Sequence, residues 1–110
     1  MSEQGWIGVD LDGTLATYHG WQGIHHIGRP IPLMAKRVKE WLSDGVEVRI
    51  FTARYSSAFP DREEAASYIQ DWTEKHFGKR LRVTCEKDFD LIELYDDRAY
   101  RVEHNTGEIF

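Results

Sequence analysis

Two aspartates, Asp10 and Asp12, stand two residues apart at the end of the apolar run WIGVD, and Gly13 and Thr14 follow directly. Such a run reads as a buried strand, where desolvation and mutual repulsion both oppose neighbouring carboxylates. The pair becomes tolerable if a cation shares the site. Later apolar runs end in the same manner: one on Thr52 with Ala53 and Arg54, one just before Lys87, and one on a second acidic pair, Asp96 and Asp97. Four carboxylates and an ammonium around one crevice suit a hard divalent cation, magnesium, held by oxygen ligands with open positions left for an anion. Each residue also has a plain reading: Asp and Gly are ordinary turn residues, Thr52 suits a strand, and Lys87 suits a solvated surface.

The elements that must position these groups follow from periodicity. Trp6 to Asp10, Val46 to Thr52, Leu81 to Cys85 and Leu91 to Tyr95 read as strands, the first of them without strict alternation. Pro32 opens a helix whose apolar residues Leu33, Met34, Val38, Trp41 and Leu42 recur at helical spacing until Gly45. A second helix runs to Gly78, with Ala65, Ile69 and Trp72 as its stripe, and with Asp61 and Glu64 placed to form a capping box. Strand alternating with helix predicts an α/β fold: a three-layer, Rossmann-like, open and mainly parallel sheet flanked by helices. In such sheets ligands bind beyond the carboxyl ends of the strands, where all the residues singled out above fall. The third and fourth strands are separated by only about five residues, short for a parallel crossover, so either the connection is an extended span with a single helical turn or the fourth strand is not parallel. Residues 16–30 hold three glycines and three histidines with no helical period and read as a loop or small flap. The last residues, around Asn105 to Gly107, suit an edge strand or hairpin.

In this order, the motifs DLDGTL (residues 10–15), IFTAR with Thr52, CEKDF with Lys87, and LYDDRA with Asp96 and Asp97 resemble those of the haloacid dehalogenase superfamily of phosphotransferases, across residues 6–98. The resemblance implies a phosphohydrolase that cleaves a phosphate monoester through an aspartyl phosphate. Asp10 would be the nucleophile, and Asp12 the acid that protonates the leaving oxygen and then the base for the attacking water. Magnesium would be held by the Asp10 side chain, the Asp12 carbonyl and an acidic residue of the last motif, Asp96 by preference, with Asp97 ligating directly or in support. Thr52, the Ala53 N–H and Lys87 would bind the phosphoryl oxygens, and Gly13 would let the loop turn its N–H groups toward an anion. Members that break carbon–halogen bonds lack the second aspartate, so Asp12 favours phosphate esters. Neither gap between motifs has room for a cap domain, which implies a single capless domain over residues 1–110. An open site goes with large substrates or a neighbouring subunit as cover.

Composition bounds the rest. The 110 residues allow one domain with a modest core, and a single cysteine, Cys85, excludes an internal disulfide and a thiolate zinc cage. No apolar stretch approaches the roughly 18 residues of a membrane span, and the polar start does not resemble a signal peptide, so a cytoplasmic protein without a membrane partner is expected. The net charge of −5 argues against a surface that tracks nucleic acid, although a nucleic-acid end stays open as a substrate beside a sugar phosphate or a nucleotide. Four tryptophans in so small a chain make a homo-oligomer conceivable. Trp21 suits stacking on a substrate or packing on the first helix; His19, His25 and His26 suit loop or substrate contacts better than a zinc site; Arg54 and Arg29 suit exposed solubilising charge or help for a phosphate. Two other functions fit the same residues: a receiver-like signalling domain, disfavoured by the motif order, and an idle member that binds phosphate and magnesium for regulation.

Overall fold

The computed structural model describes residues 5–110. Four strands, β1 (Trp6–Asp10), β2 (Glu47–Phe51), β3 (Arg82–Thr84) and β4 (Leu91–Tyr95), form one sheet in the order β3-β2-β1-β4. Every pairing is parallel. Two helices, α1 (Pro32–Ser43) and α2 (Arg62–Phe77), complete the α/β fold. Pro32 sits in the first turn of α1, and Gly78 ends α2 in the left-handed conformation, as the sequence leads one to expect. The capping box does not form. Asp61 has φ −104° and ψ 32°, outside the extended region an N-cap side chain needs to turn back on its own helix, and it makes no capping bond.

The three-layer expectation is corrected to two layers. Ala35 and Val38 of α1 and Ile69 and Trp72 of α2 join one core with Ile7, Val9, Val48 and Ile50, which alternation places on a single face of the sheet. Handedness explains this. The chain steps β1 to β2 to β3 in one direction, so two right-handed crossovers must lay both helices on the same side.

The return from β3 to β4 runs over the other face. Thr84 is level with Phe51, and so with Asp10, whereas Leu91 is level with Trp6. The chain must travel about 13 Å along the strands and about 14 Å across them, roughly 20 Å in all, and seven extended steps reach about 24 Å. There is room for no more than a short turn, and the connection ends in one, with the Leu91 N–H donating to the Asp88 carbonyl at 3.2 Å. Gly8 has no side chain, and a Cβ there would lie 3.0 Å from the Trp6 ring, so the indole lies over the strand it belongs to. Arg49 stacks on that indole at 4.4 Å. From the crossover, Asp88 accepts hydrogen bonds from Trp6 Nε1 at 2.7 Å and Arg49 at 3.2 Å. The indole bond leads the interactions that hold the Asp88 carboxyl below its ordinary pKa.

Residues 16–30 form a flap with a narrow neck. Thr17 N–H donates to the Arg29 carbonyl, Ile31 N–H to the Leu15 carbonyl, and Trp72 Nε1 of α2 to the Gly28 carbonyl. A Cβ on Gly28 would lie 2.1 Å from the Thr17 carbonyl oxygen, a backbone atom that cannot retreat without opening the neck. Gly28→Ala is therefore expected to cost about 2–3 kcal/mol, read as a fall in Tm with faster hydrogen exchange at Thr17 and Ile31. The end of the chain forms the expected hairpin, with Val102 bridged to Ile109 and with Asn105 and Gly107 at positive φ. Its apolar residues Val102, Ile109 and Phe110 are exposed. No helix is long and apolar enough to cross a membrane among the described residues.

Candidate active site

The sheet places Asp10 at the end of β1 and Asp96 and Asp97 just past the end of the adjacent β4. One oxygen from each of the three lies within 4.8 Å of the others. Thr14 ties the two loops together. Its hydroxyl lies 3.2 Å from Asp10 Oδ2 and 3.0 Å from Asp97 Oδ1, donating to one at a time, and it accepts the Asp97 N–H at 2.9 Å. Gly13, at φ +88°, lets the loop pass close to Asp97; a Cβ there would lie 2.7 Å from an Asp97 oxygen.

The electrostatic consequence is visible on Asp10, whose pKa is pushed from 3.8 up to about 7. Burial is the largest cause, followed by a hydrogen bond with Asp97 that requires a proton between the two carboxyls, and then by the charges of Asp96 and Asp97. A divalent cation among these oxygens would replace that proton. The donor set fits one: three hard carboxylate ligands, close enough to share an ion, with space left for other ligands.

Asp12 does not join this cluster with its side chain. Both of its oxygens face Arg54, accepting from Nε and from one terminal nitrogen at 2.8 Å each. That nitrogen also donates to the His26 carbonyl at 3.1 Å, and the guanidinium stacks on the Trp21 ring at 4.9 Å. Arg54 is 5% exposed, which overturns its reading as solubilising charge. Its other terminal nitrogen is buried with no partner among the described residues.

Thr52 ends β2 and opens a single 3-10 turn, Ala53–Tyr55. Its hydroxyl accepts the Arg54 N–H at 3.1 Å, and its own proton has no acceptor among the described residues. Asp10, Thr52, Ala53 and Arg98 line two adjoining clefts, one of about 460 Å³ that also reaches Asp96 and one of about 370 Å³ that also reaches Asp12 and Asp97. Lys87 lines neither. It is exposed on the crossover, next to Asp88, which is tied to the far end of β1 from Asp10. Trp21 packs edge-on against Phe59, with ring centroids 5.7 Å apart. His25 packs against Tyr68 of α2 at 4.5 Å.

Sequence reasoning missed Thr14 and Arg98 as members of this site. Their signals were adjacency alone, Thr14 two residues after Asp12 and Arg98 directly after Asp97.

No family model, curated protein or solved structure matches this chain.

Proposed function

We propose that the chain is a magnesium-dependent phosphohydrolase of the haloacid dehalogenase type, without a cap, acting on a phosphate monoester through an aspartyl phosphate on Asp10. The observation that carries this reading is the convergence of Asp10, Asp96 and Asp97 at neighbouring strand ends, with Thr52 and Ala53 lining the same cleft. Phosphoryl transfer asks for positioning and charge neutralisation, and this cleft offers groups for both. Magnesium, held by Asp10, Asp96 and Asp97 with the Asp12 carbonyl, would supply charge neutralisation on the phosphoryl oxygens.

The remaining roles belong to the chain itself. Asp10 attacks phosphorus with one carboxylate oxygen. Thr52 donates its free hydroxyl proton to a phosphoryl oxygen, and the Ala53 N–H donates beside it. In its protonated form Asp12 passes that proton to the leaving oxygen as the phosphorus–oxygen ester bond breaks, and the carboxylate so formed, the form that Arg54 pairs with, later takes one from the attacking water. Each of its oxygens keeps a lone pair beyond the one used by Arg54, so the ion pair orients the carboxylate without blocking it. The receiver-like and idle alternatives leave the alignment of Asp12 by a buried arginine without a purpose.

The family pattern gives the phosphate-binding cation to Lys87, whereas the cleft lining favours Arg98, which forms no ion pair among the described residues and flanks both clefts. Arg98→Ala is expected to raise KM for a generic phosphomonoester about tenfold, and Lys87→Ala to change it less than twofold. Steady-state kinetics on the two variants decides between them.

The direct test is p-nitrophenyl phosphate turnover with magnesium and with EDTA, beside calorimetric magnesium binding at several pH values. Activity should require the metal. Magnesium affinity should weaken about tenfold per unit below pH 7, because the ion must displace the proton held at Asp10. Turnover unaffected by EDTA would remove the proposal.

A further inference from the structure

Beyond the phosphoryl groups, the smaller cleft has a second, unlike end. Its lining joins Asp10, Thr52 and Ala53 to three aromatic rings, Tyr18, Trp21 and Phe59. Trp21 is 51% exposed and Tyr18 44%, on a flap whose Ala16 is buried and whose Ile24 and Ile27 are half-buried. Exposed single aromatics are common; two that line the same cleft as the carboxylates, one of them braced by a third ring, need a reason. Trp21 is also fixed in place. Phe59 meets its ring edge-on, and the Arg54 guanidinium lies over it. Arg54 itself is immobilised by Asp12 and the His26 carbonyl, so the indole is held by the same group that aligns the proposed proton donor.

A half-exposed indole, backed by a cation and braced by a second ring, is a stacking platform for a planar π-system. The cleft, at about 370 Å³, lies within the range of small-ligand sites and runs without interruption from the carboxylates to the indole. We propose that the leaving group of the substrate carries a planar aromatic ring that stacks on Trp21, which makes a nucleoside monophosphate the substrate class. This rests on the phosphohydrolase reading given above. Hydrolysis would break the phosphorus–oxygen ester bond; water's hydroxyl goes to phosphorus and its remaining proton to the nucleoside oxygen, releasing nucleoside and inorganic phosphate.

The comparison that isolates the ring is adenosine 5′-monophosphate against ribose 5-phosphate, which presents the same ester without the base. With magnesium, kcat/KM for the nucleotide should exceed that for the sugar phosphate about tenfold to hundredfold, the usual worth of one base stacked on an aromatic side chain. Trp21→Ala should bring that ratio close to one, and Trp21→Phe, which keeps a ring, should retain most of it. A ratio near one in the native chain, or one that Trp21→Ala leaves intact, overturns the stacking site while magnesium-dependent turnover leaves the phosphohydrolase reading standing. Calorimetric binding to the Asp10→Asn variant separates the reverse case. If neither ester is hydrolysed, preferential nucleotide binding that is lost on adding Trp21→Ala supports the platform against the failed reaction. Equal binding of the two ligands there overturns it.

Discussion

Asp10→Asn is expected to abolish magnesium-dependent phosphomonoester hydrolysis, by about ten-thousandfold or more, and at the same time to stabilise the metal-free protein above pH 7. The first effect follows from losing the attacking oxygen, for which an amide is no substitute. The second follows from linkage. Asp10 titrates at about 7 in the folded chain against 3.8 as its ordinary value, so between those pH values the folded state holds a proton that the unfolded state has released. Stability therefore falls as pH rises across that window and is lowest above pH 7, where Asp10 is charged beside Asp96 and Asp97. Asparagine removes the penalty. At pH 8 the gain should be on the order of 2 kcal/mol, below the full conversion of the shift because the site is partly open to solvent, or about 8 °C in Tm. Below pH 4 the variant should match the native chain. Saturating magnesium should shrink or reverse the difference, since the cation stabilises the aspartate far more than the amide. Thermal melts at pH 4 and pH 8, with EDTA and with magnesium, read all of this. A variant no more stable than the native chain at pH 8 would mean that burial and the neighbouring Asp97 and Asp96 carboxylates do not disfavour the Asp10 charge as the geometry requires.

Much of this site was legible in the sequence because it depends on strand ends. An apolar run announces a strand, its last residue announces a position at one edge of the sheet, and parallel order brings those edges together; Asp10, Thr52 and the Asp96–Asp97 pair needed nothing more. Lys87 shows where that logic stops. Its motif places it after β3, but the six residues joining β3 to β4 must cross the whole sheet, and the tie from Asp88 to Trp6 pulls them toward the opposite end. Nothing in the local pattern announces that pull. The placement of both helices on one face was hidden for a related reason: it depends on β2 and β3 being added in the same direction from β1, an order of strands that hydrophobic periodicity does not encode. The missing capping box is the mirror case, a correct residue pattern defeated by the backbone angles at Asp61. Arg54 was misread because an arginine in a polar loop is ordinarily exposed, and the carboxylate that buries it lies 42 residues earlier.

That buried arginine carries the other large expected effect. Arg54 links three segments that share no secondary structure: the loop after β1 through Asp12, the flap through the His26 carbonyl and Trp21, and the turn after β2 to which it belongs. Arg54→Met keeps the aliphatic bulk but leaves Asp12 unpaired. A fully buried ion pair broken on one side costs about 3–5 kcal/mol, and Asp12, at 22% exposure, retains some hydration, so about 2 kcal/mol of stability is the expected loss. The loss in kcat should be larger in consequence, about a hundredfold, because a carboxylate free to rotate spends little time aligned with the leaving oxygen. Arg54→Lys supplies charge without the two-pronged fork, so it should recover much of the stability and little of the rate. A merely structural arginine would show the opposite pattern, with rate and stability recovering together. In a cycle with Asp12→Asn the two losses in kcat should be far from additive, since either change alone removes the aligned proton carrier. Additive losses would separate Arg54 from the chemistry and leave it as a brace for the flap.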